Sequence, residues 1–194
     1  NDNSQPQNLP AWGHEDQVLR QTILTIRTIM DWAQSDARIY KTKIALFGHS
    51  LGGITAALMA GVEPQRLKAI VIAVGAGNMP GVLTKSIYPR VAYLRWRRFA
   101  ELGNISSDDY EKNLIENLKY DPLNFASRVK TDRLYFVMAA WDRSVPYEYQ
   151  LQTHQAFGSP EYHLFSPGGH IDGLLRLSLW DFDKVESFLD SKLK

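Results

Sequence analysis

The residues best suited to chemistry lie in Gly48-His49-Ser50-Leu51-Gly52, a G-x-S-x-G pattern. The apolar run Ile44-Ala45-Leu46-Phe47 precedes it, and the helix-prone run Ile54-Thr55-Ala56-Ala57-Leu58-Met59-Ala60, closed by Gly61, follows. Strand, sharp turn and helix in that order make a nucleophile elbow, which projects a serine hydroxyl above a sheet. A side chain at Gly48 or Gly52 is expected to meet the tight turn or neighbouring backbone, where only glycine fits without steric cost. The plain alternative is a strand-to-helix turn in which Ser50 merely caps the helix. A serine hydroxyl is a poor nucleophile at neutral pH, so it needs a base, and histidine has a suitable pKa. That imidazole in turn needs a carboxylate on its other nitrogen to hold one tautomer and stabilise the imidazolium.

Two downstream segments offer such groups. Leu134-Tyr135-Phe136-Val137-Met138-Ala139-Ala140 reads as a buried strand and runs into Trp141-Asp142-Arg143-Ser144-Val145-Pro146. Glu161-Tyr162-His163-Leu164-Phe165 reads as a short strand ahead of Ser166-Pro167-Gly168-Gly169-His170-Ile171-Asp172-Gly173. Together with the elbow, these segments resemble the α/β-hydrolase superfamily, in its serine esterase or lipase-like and prolyl-oligopeptidase-like branches. The first looks like the acid loop and the second like the histidine loop, and the order Ser50, Asp142, His170 matches nucleophile, acid, base. The resemblance implies a catalytic triad of these three, with the Leu51 N–H as one oxyanion donor.

Each assignment has a competitor. His49 neighbours Ser50 in sequence but points elsewhere from a tight turn, so it reads as a structural or pocket-wall residue. His14, His154 and His163 lie outside glycine-rich strand-end loops and suit surface or packing roles. Asp172 is a loop-turn residue or a weaker rival acid. The alternative acid position of some relatives reads Gly75-Ala76-Gly77-Asn78 here, without a carboxylate.

Composition fits a soluble enzyme. With 194 residues and 44% hydrophobic content, the chain can bury a sizeable single-domain core. The net charge of +1 provides no field to attract nucleic acid. No apolar stretch approaches the ~18 residues of a membrane span. The absence of cysteine excludes disulfides, thiolate metal sites and a cysteine nucleophile, and is compatible with either cytosol or export. No metal or organic cofactor is implied.

Residues 1–11 read as an extended or disordered lead-in. Residues 15–34 carry Val18, Leu19, Ile23, Ile26, Ile29, Met30 and Ala33 at helical spacing, predicting one stripe packed on a sheet. Strands are expected at 43–47, 69–74, 134–139 and 162–165, with helices after the elbow, near 147–156 and over 179–193. Strands alternating with helices imply right-handed crossovers and a mainly parallel sheet flanked by helices, with functional residues at strand carboxyl ends.

Residues 77–130 interrupt this rhythm within the single domain 1–194. By resemblance they form a helical lid whose aromatics, including Tyr88, Tyr93 and Trp96, could line an acyl or leaving-group pocket; packing against the main domain is the plain alternative. Arg90, Arg95, Arg97 and Arg98 could attract an anionic substrate or membrane surface, or simply form a solvated face. The family sheet usually has eight strands, with the nucleophile after the fifth, and the first four have no counterpart here. The second oxyanion donor therefore has no candidate. Ile44–Phe47 is apolar on both faces, as in a central strand. The 194 residues are thus expected to belong to a longer gene product, with the upstream half cleaved, disordered or supplied by a second chain.

The expected function is hydrolysis of a carboxylic ester or related acyl compound, with a small-molecule substrate. Asp121-Pro122-Leu123 and the segment from Asp142 to Pro146 resemble both acetyl esterases and prolyl-oligopeptidase-like domains, making peptidase activity the runner-up. A non-catalytic fragment or binding module lacking a complete oxyanion hole is the reading from another class.

Overall fold

The computed structural model describes residues 14–194, so the lead-in at residues 1–11 lies outside the described residues. Four strands, β1 (Ala45–His49), β2 (Ala69–Ala73), β3 (Leu134–Ala139) and β4 (His163–Ser166), form one parallel sheet in the order β1-β2-β3-β4. β2 and β3 are buried along their whole length. Their alternate residues enter different cores, as the two-residue period of a strand requires. Ile70, Ile72, Leu134 and Phe136 join one apolar cluster, while Val71, Ala73, Tyr135 and Val137 join the other.

The first cluster takes in α1 (His14–Ser35), α2 (Leu51–Val62), α3 (Met79–Lys85), α5 (Ser107–Asn117) and α6 (Tyr147–Ala156). The second takes in α7 (His170–Leu179) and α8 (Phe182–Leu193) through Leu177, Val185 and Phe188. The molecule is thus a three-layer α/β/α sandwich, the expected fold class. α2 is buried on nearly every side, between the sheet and the 3-10 segment Pro122–Arg128. A Cβ at Gly53 would come 2.7 Å from the Ala73 carbonyl oxygen, and Gly61 lies directly beneath Phe125, so small residues set this helix's close approach.

Several expectations change. The first strand is shifted two residues along the chain, and α1 buries Leu19, Ile23 and Met30 while Val18 and Ile29 face solvent. The apolar period therefore lies on a narrower stripe than the sequence suggests. In place of one last helix there are two. α7 begins at His170, and the chain breaks near Trp180 and Asp181 before α8. The Asp181 carboxylate bridges the junction, accepting from Arg176 Nε at 2.8 Å and from Lys184 Nζ. Those cations hold the carboxyl below its ordinary range. Gly52 faces open space, so no steric demand explains it.

The segment expected as a lid forms α3, α4 (Pro89–Glu101) and α5, followed by the 3-10 run. Tyr110, Leu114 and Leu118 enter the main core, and the Tyr110 edge meets Phe99 with ring centroids 5.3 Å apart. α4 buries no residue fully and leaves Tyr93 and Trp96 exposed. Its cations are largely engaged: Arg95 donates to the Leu83 and Ser86 carbonyl oxygens, Arg97 pairs with Glu101, and Arg98 with Glu15 and Glu101. No helix among the described residues is long and apolar enough to cross a membrane.

Candidate active site

Ser50 sits between β1 and α2 with φ 54° and ψ −122°, a backbone state that L-residues rarely adopt. Such a residue costs on the order of 1–3 kcal/mol and persists only where its surroundings over-determine it. Here the Ser50 N–H donates to the Ala73 carbonyl oxygen at 2.9 Å, and Ile54 N–H donates to the Ser50 carbonyl oxygen at 3.0 Å. Gly48 completes the constraint, because a Cβ there would fall onto the Gly52 carbonyl oxygen. Leu51 opens α2, so its N–H is among the first-turn donors that have no partner within the helix.

His170 is delivered from the other side of the sheet as the first residue of α7. Gly173, one turn on, lets that helix close onto β2 and β3: a Cβ there would lie 2.9 Å from Val74 Cγ1 and 3.1 Å from Ala139 Cβ. Trp141 N–H donates to the Gly168 carbonyl oxygen at 3.0 Å, joining this loop to the one that follows β3. The result is a hydrogen-bonded chain of three side chains. His170 Nε2 lies 2.8 Å from Ser50 Oγ, and His170 Nδ1 lies 2.6 Å from Asp142 Oδ2.

The Asp142 side chain is fully buried. Its Oδ1 accepts from the Ser144 and Val145 N–H groups at 2.8 and 2.9 Å, and its Oδ2 accepts from Gln150 Nε2 at 2.9 Å. Burying a carboxylate is costly unless it is paired and hydrogen-bonded, and this one is both. Gln150 gave no clear sign in the sequence beyond its place in a run of polar residues, Gln150, Thr153 and His154, that fold onto the buried face of α6.

The rival groups go elsewhere. Asp172 Oδ2 accepts from Gly169 N–H at 2.8 Å and so stabilises the start of α7. His49 is exposed at the end of β1. The His154 and His163 rings both reach the Pro160 carbonyl oxygen, at 3.1 and 3.2 Å. The site left without a carboxylate by Gly75 to Asn78 is approached by a buried one from afar in sequence. Asp121 accepts from the Asn78 and Met79 N–H groups at 3.1 and 2.5 Å.

A cleft of about 580 Å³ borders Asp142, lined by Lys85, Ile87, Trp141, Arg143 and Tyr147. Ile87 N–H donates to the Arg143 carbonyl oxygen at 3.0 Å and Ser86 Oγ to that of Ser144 at 2.6 Å, so the α3–α4 turn forms one wall. No three His, Asp or Glu side chains converge as a metal-ligand set among the described residues.

A parallel sheet with a serine on its strand-turn-helix elbow and histidine and carboxylate loops at later strand ends defines an α/β-hydrolase fold. Solved structures share it. An acetyl xylan esterase from Paenibacillus sp. R4 superposes with a TM-score of 0.73 at 17% identity, covering 100% of this chain and 61% of that one. Acetyl xylan esterase 1 from Thermoanaerobacterium sp. JW/SL YS485 gives 0.67 at 17% identity, covering 89% and 52%. An acylaminoacyl peptidase from Pyrococcus horikoshii gives 0.65 at 17% identity, covering 91% and 29%. The chain therefore spans between half and two thirds of the length of the two esterases. No curated protein matches its sequence. The Peptidase_S9 family model matches residues 21–193, and the chain belongs to the prolyl oligopeptidase family.

Proposed function

We propose that the chain carries the catalytic triad of a serine hydrolase acting on carboxylic esters or related acyl compounds. The observation that carries this reading is the continuous Ser50–His170–Asp142 hydrogen-bonded chain, with Ser50 in a strained backbone state at a helix N-terminus. Ser50 Oγ attacks the substrate carbonyl carbon as its proton passes to His170 Nε2, and Asp142 stabilises the imidazolium through Nδ1–H. The oxyanion meets the Leu51 N–H and the positive end of α2. Collapse expels the alcohol, which takes the proton from His170. Water then attacks the acyl-Ser50 ester with His170 again as base, releasing the carboxylic acid and restoring the serine.

One oxyanion donor is worth about 100- to 1000-fold in rate. An upstream segment or second chain that pairs with the edge of β1 and supplies the second donor completes the site in this reading. Residues 77–130 serve as its lid in this reading. Membership of a peptidase family and the likeness to an acylaminoacyl peptidase favour a second reading, in which the scissile bond is an amide.

Turnover of 4-nitrophenyl acetate and of an N-acetyl amino-acid 4-nitroanilide separates the two. Ester turnover that vanishes in Ser50→Ala and His170→Ala supports the first. Preferential anilide turnover with the same dependence supports the second, and turnover unchanged in Ser50→Ala contradicts both.

A further inference from the structure

Gln150 is fully buried and lies against the one carboxylate oxygen that also meets His170. Both ends of its amide are engaged. Nε2 donates to Asp142 Oδ2 at 2.9 Å and to the Val145 carbonyl oxygen at 2.7 Å, and Oε1 accepts from Ala139 N–H at 3.1 Å. A flipped amide would set its oxygen against two acceptors and its NH₂ against a donor, so the partners allow one orientation. The three contacts join the end of β3, the loop after it and the acid itself. With Oδ1 occupied by the Ser144 and Val145 N–H groups, Asp142 cannot rotate without breaking several bonds. Leucine or methionine would fill a similar volume but would leave the buried Ala139 N–H and Val145 carbonyl oxygen without this partner, so the amide serves the backbone of this corner as well as the acid.

We propose that Gln150 is a positioning residue for the reaction: it aims Asp142 Oδ2 at His170 Nδ1 and draws off part of the carboxylate's charge. This rests on the serine-hydrolase reading. Removing the donor takes away one of the bonds that fix Asp142 Oδ2 and, where the oxygen still faces His170, leaves it a stronger partner for the imidazolium.

The test is kcat and KM for 4-nitrophenyl acetate across pH, per folded protein, in wild type, Ser50→Ala, Gln150→Met and Gln150→Glu. Gln150→Met is expected to lose about 10- to 100-fold in kcat, comparable to the loss when a residue that orients a metal-binding side chain is removed, with KM little changed. Its acid limb should move to higher pH. In Gln150→Glu two buried carboxylates sit side by side and share a proton. The protonated glutamic acid can donate to Asp142 as the amide did, so this variant should keep most of its activity until the shared proton leaves. A new alkaline limb should result. Lys85, Arg143, Tyr147 and Glu148 along the cleft, Asp172 in α7 and His154 one turn beyond Gln150 on α6 are ionisable groups near these loops, and neither substitution alters them.

A Gln150→Met protein that is less stable yet unchanged in kcat and pH profile would overturn the proposal. Should that variant not fold, a Gln150→Glu protein without the alkaline limb overturns it equally. Wild-type turnover independent of Ser50 would instead sink the serine-hydrolase reading and the Gln150 role with it.

Discussion

Strands β1 and β3 each deliver one member of the Ser50–His170–Asp142 chain, but they are supported in different ways. β3 is paired on both sides, buried throughout, and followed by a loop whose carboxylate has three donors besides histidine. β1 pairs with β2 alone among the described residues, and Phe47 and Leu51 are 42% and 67% exposed. The Asp142–His170 half is thus held by packed side chains and a saturated hydrogen-bond network. The Ser50 half is held chiefly by backbone: the Gly48–Gly52 contact, the Ser50 to Ala73 bond and the Gly53–Gly75 approach. Core substitutions should damage the first half most, and Cβ insertions the second.

The largest expected effect is at Phe136 in β3. Phe136→Ala should cost about 3–5 kcal/mol in urea unfolding, because the ring is fully buried and packs edge-on against His154 and Phe157. Gly48→Ala should cost about 2–3 kcal/mol, since backbone must move to admit its Cβ. Gly52→Ala, two turn positions from Ser50, should be neutral or stabilise by up to about 1 kcal/mol, as alanine is the better helix former and meets nothing there. Equal costs at the two glycines would break the account of the elbow.

A smaller effect is pH-dependent. Burial lowers the His154 pKa, against a hydrogen bond to Pro160 that raises it, and nearby His163 lowers it further. The folded state therefore binds fewer protons than the unfolded one. Stability from this residue is full above the unfolded pKa of about 6.5 and declines as the pH falls below it. Urea midpoints at pH 7.5 and 5.5 should converge more in His154→Leu than in wild type. Smallest of all, Phe47→Thr should change stability by no more than about 0.5 kcal/mol; a loss like that at Phe136 would mean that the β1 face is covered in solution.

How much of this could be read beforehand follows the same division. β2, β3 and the three residues of the candidate site were legible because unbroken apolar runs end in glycine- or proline-rich loops that carry the polar residue. α7 was not, because Gly168, Gly169 and Gly173 read as loop, whereas Gly173 is there to seat the helix on Val74 and Ala139. Gln150 and Asp121 are polar residues whose burial depends on partners that only the fold brings into contact, Asp142 and the start of α3, and local pattern carries no record of such partners. Val18 and Ile29 kept helical spacing yet stayed exposed, since spacing marks a stripe without fixing how wide a neighbour covers it.

The central claim is that Ser50 is activated by His170. The most direct measurement treats the folded protein with a fluorophosphonate and locates the adduct by mass spectrometry, alongside Ser50→Ala and His170→Ala. The account predicts a single adduct on Ser50 that forms far more slowly without His170. An unlabelled Ser50 in folded wild-type protein, or labelling indifferent to His170, would contradict it.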